Sequence, residues 1–164
     1  VAAIRRVNTL AFGRPEEADV VDRLRLADAP FISLVAEDGG AIAGHVLFTP
    51  ATIDGGGRHV GQRVAGMGLA PLAVIPEWQR QGIGSSLVRR GLDLLRADGC
   101  PFVIVLGYPE YYARFGFERA SVHGLACQWK GVPDEAFMVL IFDSDAVQGV
   151  SGIARYRDEF DAAM

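Results

Sequence analysis

The sequence predicts a mixed α/β fold, with an antiparallel first half and one β-α-β unit in the middle of the chain. Its 164 residues are about the length of one domain, so a single domain over 1–164 is expected. Strand-sized apolar runs alternate with segments that place apolar residues at helical spacing, and glycine-rich turns separate them. A hydrophobic fraction of 50% and a charged fraction of 22% exclude a disordered chain.

Two helices and a strand hairpin are predicted for the first third of the chain. Ile4, Val7 and Leu10 share one side of a helix. Pro15 suits the first turn of a second helix, and the Glu-Asp-Gly-Gly sequence at 37–40 is a hairpin turn signal. The predicted elements are helices over 1–10 and from 15 to about 28, and strands over 31–36 and 41–53.

The β-α-β unit and a pair of strands are predicted for the rest of the chain. All five residues of Phe102–Leu106 are apolar, which indicates a fully buried strand. Residues 155–159 are interpreted as a solvated helix face or as ion pairs. The predicted elements are strands over 64–74 and 102–106 with a helix over 85–97 between them, a short helix over 108–115, and a final strand pair over 125–130 and 136–142.

Charge, hydropathy and cysteine content limit the class of protein. A net charge of −4 argues against a nucleic-acid binder, which needs a basic face. No apolar run approaches the roughly 18 residues of a membrane helix, and the start carries no signal-peptide pattern. Cys100 and Cys127 lack metal-ligand spacing and suit a reducing compartment. We therefore expect a soluble, cytoplasmic protein without a metal.

A glycine-containing loop between the predicted strand over 64–74 and the following helix is the segment most informative about chemistry. Gly82 and Gly84 allow a positive φ and a close approach of backbone to ligand. The helix that follows offers amides and a positive dipole end, which together suit a pyrophosphate, and Arg80 adds charge. The alternative is a strand-to-helix turn whose glycines serve packing alone.

Two common nucleotide motifs are absent from this loop. No Gly-Lys-Ser/Thr follows the glycines, so the loop is not a Walker motif. Leu87 stands where a dinucleotide-binding fingerprint would place a third glycine or an alanine. A nucleotide-binding oxidoreductase is therefore a weak alternative.

The pattern Gln79-x-x-Gly82-x-Gly84 resembles the coenzyme A loop of the GNAT N-acetyltransferase superfamily, usually written Q/R-x-x-G-x-G/A. Residues 69–74, 106–117, 127–129 and 149–160 are similar to further segments of its bacterial YhbS-like subgroup, so the resemblance covers nearly the whole chain. One departure is that the family's first strand, which should precede the first helix, is not in the sequence. We therefore expect the natural chain to extend before Val1.

The resemblance implies a mixed, mostly antiparallel sheet that is splayed after the family's fourth strand and flanked by helices, with acetyl-CoA bound in the gap. Pro71 cannot complete a strand ladder, so it marks either lost pairing or the end of an edge strand. The implied cofactor-binding residues are Leu72, Ala73 and Val74 for the pantetheine arm, and Gln79, Arg80, Gln81, Gly82, Ile83, Gly84 and Ser85 for the phosphates.

Tyr112 is the catalytic residue that the resemblance implies, because it lies four residues before Gly116. A phenol with a pKa of about 10 is suited to protonate a departing thiolate. The alternative is that Tyr112 is a packed aromatic residue whose hydroxyl makes a hydrogen bond within the protein. Tyr111, which is one residue further from Gly116, is expected to pack. A backbone amide near Leu72 is the expected oxyanion donor.

The general base is left open by the sequence, because the strand over 64–74 contains no acid. The candidates are His45, Glu110, Glu37, Glu77 and a water chain. His45 has the right class of pKa, but its position on an apolar strand favours a structural histidine. Trp78 and Trp129 are expected to pack.

The resemblance implies direct transfer of an acetyl group, through a tetrahedral intermediate, to the primary amine of a small molecule or peptide. No nucleic-acid or membrane partner is expected, and a homodimer is possible. The alternative from another class is a non-catalytic acyl-CoA-binding or regulatory module, for which the missing strand acid leaves room.

Overall fold

Five α-helices and eight strands form the chain's main elements, and all of its residues, 1–164, are described by a computed structural model. The helices are α1 (Ala2–Phe12), α2 (Glu16–Leu26), α3 (Ile83–Ala97), α4 (Pro109–Ala113) and α5 (Ser144–Val147). The strands are β1 (Ile32–Asp38), β2 (Ala41–Gly55), β3 (Arg63–Val74), β4 (Phe102–Leu106), β5 (Glu118–Arg119), β6 (Leu125–Cys127), β7 (Phe137–Ile141) and β8 (Gly152–Arg155). None of the helices is long and apolar enough to span a bilayer.

The residues divide into two compact units, and each unit is discontinuous in sequence. The first comprises Val1–Thr49, Ala70–Leu94 and Asp158–Met164. The second comprises Pro50–Leu69 and Leu95–Arg157. The long strands β2 and β3 therefore contribute residues to both units, and the single domain expected over 1–164 stays a prediction.

The first unit contains the helices α1 and α2, the β1–β2 hairpin, the end of β3 and most of α3. The predicted hairpin is confirmed: β1 pairs antiparallel with β2, from Ile32 opposite Phe48 to Asp38 opposite Ala41. Gly39 and Gly40 make the turn with positive φ angles of 58° and 83°. The apolar face of α3 is buried at Leu87, Val88 and Leu92.

The second unit holds a sheet in the order β5-β7-β4-β3-β2-β8-β6. The pairs β3–β4 and β6–β8 are parallel, whereas β2–β8, β4–β7 and β5–β7 are antiparallel. The sheet is thus mixed and mostly antiparallel, as predicted. The predicted β-α-β unit is confirmed, because α3 connects the parallel strands β3 and β4.

The predicted final strand pair is wrong. Residues 125–127 pair with β8, and β7 pairs instead with β4 and β5. Of the two interpretations of residues 155–159, the ion pair is confirmed at Arg155, which ends strand β8 and whose Nε donates to Asp54 Oδ2 at 3.0 Å. A four-residue strand that begins with Gly152 is too short to show an alternating pattern.

Pairing between β3 and β4 is lost near Pro71, as predicted. Residues 67–69 pair with 103–105, and the pairing stops there. The Ala70–Pro71 peptide bond, just after the last paired residue, is cis. The five residues at the end of β3 therefore continue beyond the parallel ladder, which is the splayed arrangement that the resemblance implies.

Candidate functional site

The glycine loop connects the end of β3 to the first turn of α3. A 3₁₀ turn, Pro76–Trp78, follows β3, and residues 79–82 are exposed to solvent. Helix α3 begins at Ile83, two residues before the predicted start, so its positively polarised first turn comes directly after Gly82. All ten predicted cofactor-binding residues, 72–74 and 79–85, belong to the first unit.

Backbone conformation in the loop differs at its two glycines. Gly82 has a φ of 84°, and a Cβ built there would meet no atom within 4 Å, so this face of the loop is open. The positive φ expected at Gly84 is wrong. Helix α3 begins at Ile83, before the predicted start, so Gly84 lies inside the helix. Arg80 instead takes a positive φ of 64°.

Gln79 holds the loop against the strand that precedes it. Its Nε2 donates to the carbonyl oxygen of Val74 at 3.0 Å. Within the segment assigned to the pantetheine arm, Ala73 is buried, whereas Leu72 and Val74 are half-buried. The loop therefore presents an exposed backbone that is fixed at one end by a side-chain amide and at the other by a helix.

Tyr112 lies on α4 in the second unit and is 7% exposed. Its ring makes edge contacts with Phe117, at a centroid distance of 5.8 Å, and with Tyr111, at 5.0 Å. Burial raises the pKa of Tyr112 well above the usual value of about 10, and the neighbouring Tyr111 adds to the rise. The hydroxyl therefore keeps its proton at neutral pH. Tyr111 packs, as expected, against Phe115.

His45 is fully buried on β2 and has a partner at each ring nitrogen. The Asn8 Nδ2 amide donates both to Ile4 O at 3.0 Å and to His45 Nδ1 at 3.1 Å, so Nδ1 is an acceptor. Nε2 therefore carries the proton, which it donates to Ser33 Oγ at 2.9 Å. The arrangement is that of a structural histidine and argues against His45 as the general base.

The carboxylates considered as bases are all exposed. Glu37 lies near the end of β1, Glu77 in the 3₁₀ turn before the loop, and Glu110 in the first turn of α4. Glu37 and Glu77 belong to the first unit, and Glu110 belongs with Tyr112 to the second.

The buried His45 predicts a loss of stability in acid. Burial, and to a lesser degree Arg25, lowers the pKa of His45 to about 4, so the unfolded chain binds a proton that the folded chain does not. Stability contributed by neutral His45 is thus present above about pH 6.5 and is lost as the pH falls toward about 4, by roughly 3 kcal/mol. Urea unfolding at several pH values measures the effect, which His45→Gln should abolish and His123→Gln should leave intact.

The family relationship follows from comparison with known proteins. The sequence profile described as an acetyltransferase (GNAT) domain matches residues 1–120. The chain belongs to the GNAT acetyltransferase family. It is 38% identical over 151 residues to the Escherichia coli protein named uncharacterized N-acetyltransferase YhbS, covering 92% of this chain and 86% of that one. It is 46% identical over 120 residues to E. coli YjhQ, another protein named an uncharacterized N-acetyltransferase, covering 72% and 64% of the two chains.

Two solved GNAT structures share the fold of this chain. E. coli YhbS in complex with CoA superposes with a TM-score of 0.87 at 36% identity, covering 98% of this chain and 86% of that one. A GNAT acetyltransferase from Brucella melitensis in complex with acetyl-CoA has a TM-score of 0.76 at 34% identity, covering 98% and 91%. The GNAT fold predicted from the loop motif is therefore confirmed.

Tyr156 is a buried residue of this GNAT chain that the sequence did not single out. Its hydroxyl donates to the carbonyl oxygen of Leu69 at 3.0 Å, and Leu69 is the last β3 residue that pairs with β4. Its ring stacks on that of Trp129, with 5.7 Å between the ring centroids. A Cβ at Gly68 would lie 2.6 Å from the Tyr156 ring, so only glycine fits there. A glycine inside a strand is a signal for such a close approach, and it could have indicated a large side chain over β3.

The GNAT chain contains no cluster of three or more histidine, cysteine or acidic side chains arranged to hold a metal ion. The expectation of a packing role for Trp129 is confirmed by its stacking on Tyr156.

Proposed function

We propose that the chain is an acetyl-CoA-dependent N-acetyltransferase and that residues 1–164 act as one domain. The observation that carries the proposal is the open backbone of the loop at Gly82, directly before the positive end of α3, because this is a geometry that binds pyrophosphate. The complexes of YhbS with CoA and of the Brucella relative with acetyl-CoA support the choice of nucleotide. Two cysteines without a disulfide support a cytoplasmic location.

The binding residues act mainly through their backbone. Residues 80–85 surround the pyrophosphate with amides and the Arg80 guanidinium, while the Gln79 side chain, bonded to Val74 O, holds the loop in shape. The peptide groups of Leu72, Ala73 and Val74 pair with the amides of the pantetheine arm, beyond the point where β4 stops pairing with β3.

The proposed reaction is one direct transfer. The neutral nitrogen of a primary amine, on a small molecule or peptide, attacks the thioester carbon and forms the C–N bond. A backbone amide near Leu72 stabilises the resulting oxyanion. As the C–S bond breaks, Tyr112 gives its hydroxyl proton to the leaving thiolate. The ammonium proton passes to a base or to water, and the Tyr112 phenolate then regains a proton from there, which restores the general acid. Because burial raises the pKa of Tyr112, the side chain still carries its proton in the alkaline range in which a primary amine becomes neutral.

Arg80→Ala should weaken binding of CoA by about tenfold while leaving binding of pantetheine, which has no phosphate, unchanged. Both residues carry a Cβ at the same positive φ of 64°, so the substitution removes charge without changing the backbone strain. Isothermal titration calorimetry measures both affinities, with Arg23→Ala on α2 as an exposed control. Equal losses for the two ligands would show that Arg80 does not contact the phosphates.

A screen of primary amines for release of free thiol from acetyl-CoA tests the proposed function. Catalysis requires at least one amine to accelerate release well above the rate without amine. Tight acetyl-CoA binding with no acceleration by any amine would favour the non-catalytic acyl-CoA-binding module instead.

A further inference from the structure

The side chain of Tyr156 contacts the backbone of both β3 and β4 at the place where these strands part. Tyr156 directly follows β8 and is buried. Its hydroxyl donates to Leu69 O at 3.0 Å and lies 3.4 Å from Ile104 O. Leu69 belongs to the last pair of the β3–β4 ladder, and Ile104 belongs to the pair before it. One phenol oxygen therefore joins the two strands at the end of their ladder.

The position of this hydroxyl is fixed by the packing of the tyrosine ring. The ring stacks on Trp129, and it lies so close to Gly68 that a Cβ at that glycine would be 2.6 Å from it. The backbone amide of Tyr156 is also held, because it donates to the side-chain oxygen of Gln128. A ring that is packed in this way leaves the hydroxyl little freedom to move away from the strands.

The end of the ladder is a place where backbone groups need a partner from elsewhere. Strand β3 continues without a break to Val74, but no residue after Leu69 pairs with β4. Pro71 has no N–H, so it cannot donate a further ladder bond. Unpaired strand ends open easily, whereas a side chain that bonds to the backbone there holds them in place, as capping residues do at helix ends.

The Tyr156 hydroxyl has the chemistry of such a cap. A phenol donates one hydrogen bond and accepts others, so it can serve carbonyl and amide groups at once. Burial raises the pKa of Tyr156 well above its usual range, so the donated proton stays in place at neutral pH. The backbone amide of Leu106, the last residue of β4, bonds to the phenol oxygen.

We propose that Tyr156 is a positioning residue for the cofactor, because its hydroxyl fixes the point at which β3 leaves β4 and thereby orders the end of β3 for the pantetheine arm. This inference rests on the proposed function, in which the peptide groups of residues 72–74 pair with that arm. A strand end that is already ordered loses less conformational freedom on binding. Loss of the hydroxyl should therefore weaken ligands that contain the arm and spare a ligand that lacks it.

Tyr156→Phe removes the hydroxyl and keeps the ring, and calorimetry with CoA and its fragments measures the effect. The affinities for CoA and for pantetheine should each fall by about tenfold. The affinity for 3′-phosphoadenosine 5′-diphosphate, which is CoA without the pantetheine arm, should not change. Tyr156→4-aminophenylalanine restores a donor at the same place and should recover most of the lost affinity. Tyr108→Phe, which removes an exposed hydroxyl, should leave all three affinities unchanged.

Val147→Ala separates positioning from a general loss of stability. Val147 is buried on α5, outside the β3–β4 ladder, so its truncation should lower the midpoint of urea unfolding and leave the three affinities in place. Equal losses for CoA and for 3′-phosphoadenosine 5′-diphosphate in Tyr156→Phe would overturn the inference. Unchanged affinity for CoA in folded Tyr156→Phe would do the same and leave the function standing.

Hydrogen exchange in the unaltered protein gives a test that needs no variant. If the hydroxyl caps the ladder, the Leu106 amide should exchange slowly in the free protein and at the same rate after saturation with CoA. A Leu106 amide that is protected only when CoA is bound would overturn the inference. Absence of any CoA binding by the unaltered protein would instead overturn the proposed function on which the inference rests.

Discussion

Tyr112→Phe is expected to lower kcat by about 10²-fold or more, with little change in the KM for acetyl-CoA. The substitution removes one hydroxyl and keeps the ring that packs on Phe117 and Tyr111. The proton is needed only as the thiolate departs, so the loss belongs to the transition state and appears in kcat. Steady-state kinetics with an amine found in the thiol-release screen measure the effect.

Tyr111→Phe is the matched control, since the two tyrosines are neighbours on α4 and only Tyr112 has the predicted offset from Gly116. It should retain near-normal turnover. If Tyr112 has a structural role alone, its phenylalanine variant would lose about 1 kcal/mol of stability and keep its kcat. A folded Tyr112→Phe protein with unchanged kcat would end the general-acid assignment.

The alkaline limb of the pH–rate profile gives a second readout for Tyr112. Because burial raises the pKa of this phenol, loss of its proton should reduce the rate only above the usual tyrosine range. That limb should disappear in Tyr112→Phe.

Gly82→Val is expected to lower the affinity for CoA by about 10²-fold in a protein that remains folded. The φ of 84° at Gly82 disfavours a β-branched residue, so the loop would have to change conformation. The new side chain would also fill the open face at which the backbone is proposed to approach the pyrophosphate. Calorimetric titration with CoA measures the loss.

Gly99→Val is a closely matched control for backbone strain. Gly99 follows the other end of α3 and has a φ of 81°, and a Cβ added there would likewise meet no atom within 4 Å. Both variants should therefore lose similar stability, whereas only Gly82→Val should lose CoA affinity. Unchanged CoA binding in folded Gly82→Val would remove the loop assignment.

The parts of the fold that sequence predicts are those with strong local patterns. The unbroken apolar run Phe102–Leu106 forms β4 with the predicted bounds, and the Gly-Gly turn joins β1 to β2. Strand β8 was missed because four residues with a leading glycine show no periodicity. The partners of β6 and β7 were wrong because strand pairing between distant segments is not written in local sequence.

The candidate site likewise has one part that local sequence predicts and another part that depends on contacts between distant residues. The loop at 79–84 is recognisable because its chemistry lies in consecutive residues. The Trp129–Tyr156–Leu69 contacts join residues far apart in the chain, and only the glycine at 68 indicates that something large approaches β3.

Transfer of a carbon-13-labelled acetyl group from acetyl-CoA to an amine, followed by mass spectrometry, tests the central claim most directly. The proposed function predicts that the label appears in the N-acetylated amine in equal amount to the CoA released. Formation of CoA with labelled acetate and no labelled amide, or no consumption of acetyl-CoA in the presence of any amine, would contradict it.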